Sequence, residues 1–141
     1  MKKLFLTVLS IALLSFAGSA AAEDTKKTDK LDGAMEGLIA KVLLNDKLEL
    51  VEGTDIVVSY LEVPPNTTLP SHWHHGEEYI YVLEGSAVVV LKDKPDTIVK
   101  KGEVFKIPLK HVHTAKTTDE PCKVVVFRVH EEGKPVRVDV E

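Results

Sequence analysis

His72-Trp73-His74-His75-Gly76-Glu77-Glu78-Tyr79-Ile80-Tyr81-Val82-Leu83-Glu84-Gly85 is the stretch on which the fold turns. Its second half, from Glu78 to Leu83, is aromatic and β-branched and closes at a glycine, the pattern of a strand entering a turn. Its first half is a histidine cluster. On an extended strand successive side chains alternate, so His72 and His74 share a face and Trp73 takes the other. His75-Gly76-Glu77 is a polar break, and a bend there returns the Glu78 carboxylate toward the two imidazoles. The chain has six histidines. A second pair, His111 and His113, is again two apart and follows Pro108. An ionised carboxylate inside a fold is costly unless it is paired or binds a metal. Imidazoles and a carboxylate converging in this way point to a cation.

Outward from this stretch the chain reads as short strands. Leu38–Leu44, Asp55–Val63, Glu78–Leu83, Ala87–Leu91, Thr97–Val99, Val104–Ile107 and Lys123–Val129 are rich in Val, Ile, Leu and aromatic residues. Gly, Pro, Asp and Asn separate them, as at Pro64-Pro65-Asn66, Gly85, Asp93-Lys94-Pro95-Asp96, Gly102 and Pro108. No helical period competes. The expectation is an all-β sandwich or small barrel with one core. Lys92, Lys94, Lys100 and Lys101 flank the turns and read as solvated edge residues that discourage edge-to-edge pairing.

The chain has 141 residues, 28% of them charged, a net charge of −4 and one cysteine. That length suits a single domain. An internal disulfide is excluded, and nothing provides the basic footprint of a nucleic-acid binder. Met1-Lys2-Lys3, an apolar run from Leu4 to Ala17 and the small residues Gly18 to Ala22 form a secretory signal peptide, with cleavage expected after Ala22. The apolar run is too short to span a bilayer. Residues 23–37 read as a flexible leader and 38–141 as the folded domain. Export implies a periplasmic or secreted protein with no membrane attachment after cleavage. Cys122 reads as a small residue at a strand end.

Residues 72–85 follow His-x-His-x3-Glu-x6-Gly, and residues 102–113 follow Gly-x5-Pro-x4-His. These resemble the two signature motifs of the cupin superfamily, and the resemblance extends over about residues 38–130. It implies a double-stranded β-helix, the cupin jelly-roll barrel. It further implies that His72, His74, Glu78 and His113 bind one divalent transition metal, of the set Fe, Mn, Ni, Zn or Co. Three positions depart from the pattern: Asn66 and Lys110 stand where glycines are usual, and Thr117 where Asn is usual. None is a ligand.

The function implied is a metal-dependent enzyme acting on a small oxygen-rich molecule, of dioxygenase, isomerase or lyase type. The alternative is a non-catalytic module for a small ligand or metal. Candidate catalytic residues are Glu78, His111 and Arg128. Arg128 lies between Phe127 and Val129 on an alternating strand, with an outward direction favoured. Trp73, Tyr79 and Tyr81 are expected to face away from the metal and suggest a homodimer contact. His75 is expected to point away from the site, and His130 to be exposed.

Overall fold

A computed structural model describes residues 35–140. The expected signal peptide lies outside the described residues, as does the leader up to residue 34. Within the leader's last three residues, Met35 packs against the core and its carbonyl accepts a hydrogen bond from the Leu38 amide.

The described residues form ten strands: β1 (Ile39–Lys47), β2 (Thr54–Val63), β3 (His72–Trp73), β4 (Gly76–Glu84), β5 (Ser86–Leu91), β6 (Thr97–Lys100), β7 (Val104–Ile107), β8 (His113–Lys116), β9 (Cys122–Glu131) and β10 (Val138–Asp139). They pair antiparallel into two five-stranded sheets, in the orders β1-β2-β9-β4-β7 and β10-β3-β8-β5-β6. All seven expected strands are present. The two-residue strands β3 and β10, and the four-residue β8, carry no apolar run of their own.

Alternation along the long strands decides what faces inward. On β9, Cys122, Val124, Val126, Arg128 and His130 are buried, while Phe127 is exposed. The favoured outward direction for Arg128 and the exposed placement of His130 are therefore corrected: both share the period-two face of Val124 and Val126. On β4, Glu78, Ile80 and Val82 face in and Tyr81 is exposed. The core between the sheets is built from Leu61, Ile80, Val82, Val89, Ile107 and Val126, among others. The four turn lysines are exposed, as expected.

Two glycines are required by space. A side chain at Gly85, at the β4–β5 turn with φ +72°, would place Cβ 2.1 Å from the Pro121 carbonyl oxygen. At Gly76 the obstruction is the Val129 carbonyl oxygen, also at 2.1 Å. Asn66 and Lys110, where glycine is usual in the resembled motifs, take φ +54° and +56°. The turns thus keep the left-handed backbone. Asn tolerates it, and Lys accepts the strain. Thr117 stands in for Asn by bonding the first turn: its hydroxyl donates to the Pro64 carbonyl at 2.5 Å and accepts from the Thr67 amide at 2.9 Å.

Candidate metal centre

Register brings the histidines together. His72 on β3 lies directly opposite His113 on β8. His74 follows β3 immediately. The three ring centroids lie 4.3–5.2 Å apart. One ligand nitrogen from each of these buried residues lies within 4.8 Å of the others.

Each ring is oriented the same way. His72 Nδ1 donates to the Pro70 carbonyl at 2.8 Å, and His113 Nδ1 to the His111 carbonyl at 2.9 Å. His74 Nδ1 donates to the carbonyl of Val136, which lies just before β10. A proton on each Nδ1 leaves the lone pair on Nε2, the second-sphere arrangement that prepares imidazoles for a metal. Nε2 of His74 and of His113 are buried and have no hydrogen-bond partner among the described residues. Burial pushes His72 down to about 3, aided by neighbouring His113. Burial also lowers His113, against the opposing pull of Glu78. Both rings are thus held neutral at ordinary pH, the form a ligand needs.

Glu78 opens the other wall. Its Oε2 lies 2.8 Å from His74 Nε2, and its Oε1 3.8 Å from His113 Nε2. Imidazole nitrogens of His72, His74 and His113 converge here with a carboxylate oxygen of Glu78, and this nitrogen and oxygen donor set fits a divalent transition metal. Glu78 stands opposite Arg128 in the β4–β9 register, and Arg128 Nε donates to Oε2 at 2.7 Å. Arg128 Nη1 donates to the Ser59 hydroxyl at 3.3 Å. Burial opposes ionisation of Glu78, but the Arg128 guanidinium, with His74 beside it, outweighs burial and holds the carboxyl well below its ordinary range.

Other expected residues fall elsewhere. The His111 ring, a candidate for catalysis, points away and donates Nε2–H to the Lys92 carbonyl at 2.9 Å. A turn ending at the left-handed Lys110 swings it there, so only its main-chain carbonyl serves the centre. His75 packs on Trp73 with ring centroids 4.5 Å apart and lies 3.8 Å from Glu131. Tyr79 bonds Glu77 at 3.1 Å on the outer face. Cys122 is buried, and burial pushes its thiol up to about 11.

Two contributors escaped the sequence. Val136 acts through a carbonyl, which carries no residue signature. Ser59 was detectable: it is fully buried and is a lone hydroxyl at an inward position of the apolar run Ile56–Tyr60.

The centre sits on the wall of a cavity of about 250 Å³. His72, Glu78, His113 and Arg128 line one part of it, and aliphatic side chains such as Leu61, Ile80, Val89, Val124 and Val126 line most of the rest.

A family model described as a cupin domain matches residues 59–128. A search of curated protein sequences returned no match. Among solved structures, the polyketide cyclase RemF from Streptomyces resistomycificus is 29% identical, with a TM-score of 0.57, covering 75% of this chain and 74% of its own. A cupin-like protein from Thermotoga maritima is 23% identical, with a TM-score of 0.60, covering 73% of this chain and 75% of its own. The lyase DddQ from Ruegeria pomeroyi, described as acting on DMSP, is 19% identical, with a TM-score of 0.62, covering 90% of this chain and 59% of its own. The last two likenesses concern the fold alone. Two antiparallel sheets with the sequence motifs at their facing register positions, and a family model spanning both motifs, make this chain a small single-domain member of the cupin superfamily.

Proposed function

We propose that the protein is a metal-dependent enzyme in which His72, His74 and His113, with Glu78 as fourth ligand, hold one divalent transition metal. The observation that carries this reading is the common orientation of the three rings: every Nδ1 is tied to a carbonyl, and Nε2 of His74 and His113 is buried without a partner among the described residues. When bound, the metal supplies Lewis acidity toward an oxygen of the substrate and, if redox-active, electron transfer. The chain's own residues do the rest. Arg128 keeps Glu78 ionised and holds its Oε2, while Oε1 faces His113. The aliphatic wall excludes water and strengthens these charge interactions. Arg128 and Ser59 add polar groups beyond the ligands, which favours an enzyme over a passive metal store. The reaction belongs to the dioxygenase, isomerase or lyase kind, on a small molecule that presents an oxygen to the centre.

Export of the mature chain to the periplasm follows from the reading of residues 1–22. A homodimer is proposed through the outer face of the β1-β2-β9-β4-β7 sheet, where Tyr81, Val104 and Phe127 are exposed. Elemental analysis of protein purified from a periplasmic fraction, followed by an activity screen with the metal found, tests the central claim. About one metal per chain is expected, and metal-free protein that takes up none on addition of Fe, Mn, Ni, Zn or Co would sink it. Stoichiometric metal with no turnover of any compound, together with saturable binding, would favour the non-catalytic ligand module.

A further inference from the structure

The cavity has two unlike chemistries on one wall. Most of its lining is aliphatic, from Val57, Leu61, Val63 and Leu69 through Val89 to Val126. Among the described residues its charged lining is Lys116, Arg128, Lys134 and Arg137 against the carboxylate of Glu78. This occurs in a chain whose net charge is −4. All four cations have acidic neighbours, Arg128 in Glu78 itself at 2.7 Å. Lys116 lies 3.9 Å from Asp96, Lys134 lies 3.8 Å from Glu131, and Arg137 Nε lies 2.5 Å from Asp139. Those three acids are half-exposed or more and do not line the cavity; Lys116 and Lys134 are nearly as exposed, whereas Arg137 is largely buried and its partner Asp139 is the one that solvent screens.

An aliphatic wall cannot satisfy a molecule carrying hydroxyls along its length, because each buried hydroxyl without a partner costs free energy. It gains by burying hydrocarbon. At the histidine end, Arg137, which shares the Pro70 carbonyl with His72, and Arg128 suit one anionic oxygen group. Size adds a bound: an apolar cavity of about 150 Å³ holds benzene, so one of about 250 Å³ takes an organic molecule of roughly ten non-hydrogen atoms.

We infer that the ligand of this cavity is a compact apolar carboxylic acid, its hydrocarbon body on the aliphatic wall and its carboxylate directed to the histidine and arginine end. This rests on the metal-site reading for the direction of the head group, but the preference for an apolar body does not need the metal. It narrows the oxygen-rich substrate expected from the motifs to a molecule with its oxygens at one end.

Isothermal titration calorimetry tests it with three probes: benzoate, the polyhydroxylated acid gluconate, and the uncharged benzyl alcohol. Each is titrated into metal-loaded and metal-free full-length protein, with metal content measured separately. Benzoate is expected to bind at least tenfold more tightly than either of the others. Gluconate binding as tightly as benzoate would overturn the apolar body, and benzyl alcohol doing so would overturn the anionic head. No binding of benzoate to either form would also overturn the proposal. Metal uptake fails independently: a protein that takes no metal but still prefers benzoate removes the metal reading and keeps the ligand class. Ala87→Leu, which adds bulk to the cavity wall, is expected to weaken benzoate at least tenfold, and unchanged affinity in this variant would place benzoate outside the cavity. The wild-type comparisons stand if that variant does not fold.

Discussion

The two sheets carry the centre on unequal terms. In the β1-β2-β9-β4-β7 sheet, β2 and β9 pair over ten consecutive positions, Thr54–Val63 against Cys122–Glu131. In the other sheet, β3 meets β8 at a single register position, His72 opposite His113, and β10 at two. The long-stranded sheet supplies Glu78, Arg128 and Ser59, and the short-stranded sheet supplies the histidines. Backbone pairing therefore holds the charged half and, through β5, His113, whereas His72 and His74 depend more on side-chain bonds to Pro70 and Val136 and on whatever cation the rings share. The difference teaches that a cation would contribute most where the ladder is weakest.

The sharpest way to break this picture is to remove one ring. His113→Ala is expected to lower metal affinity by well over a hundredfold, beyond the loss typical of an outer-sphere partner. It should leave the β circular-dichroism signal, because the core is aliphatic. His75→Ala, outside the cluster, should retain full metal. Metal content of the two purified variants decides it, and the reverse result would mean the wrong histidines were assigned.

Next in size is the charged half. Arg128→Met leaves the Glu78 carboxylate buried without its main cation, and breaking a buried pair on one side costs about 3–5 kcal/mol. Urea denaturation of the metal-free variant should show that loss, while Glu78→Gln combined with Arg128→Met should recover much of it. A loss below about 1 kcal/mol would show that the pair is not what holds this sheet's half of the site.

Acid should loosen the histidine half. His72 has an ordinary value of 6.5, lowered to about 3 in the fold, and burial lowers His113 and His130 as well. Below 6.5 the unfolded chain binds protons that the folded chain refuses, so stability is complete above that pH and falls as pH drops toward 3. The lowered carboxyl of Glu78 acts in the same direction below 4.5. The urea midpoint of metal-free protein should therefore fall between pH 7.5 and 5, and His72→Asn should flatten that dependence. Hydrogen exchange of the same protein should show β3, β8 and β10 opening before β2 and β9, with metal closing most of the gap.

The smallest effect lies in the turns. Lys110→Gly removes a left-handed non-glycine residue and should stabilise by up to about 1 kcal/mol, a rise of a few degrees in Tm. Gly85→Ala should do the opposite, and by more, because it adds both a strained φ and a collision with the Pro121 carbonyl.

What could be read from residues alone follows the two features that leave a chemical signature. Apolar alternation located seven of the ten strands, because burial of every second side chain repeats along the chain. Residue type and spacing marked the histidines at 72–75 and 111–113 with Glu78 as a cluster, and the resemblance to the cupin motifs singled out His72, His74, Glu78 and His113 within it. Tertiary structure alone decided direction and partnership. Arg128 and His130 turn inward because they share the face of β9 that packs Val124 and Val126 into the core between the sheets. The His111 ring leaves the site because the Lys110 turn aims it at Lys92, and the His74 ring is set by a carbonyl 62 residues away. Such contacts arise between segments distant in sequence, through backbone groups common to every residue, so no local pattern announces them.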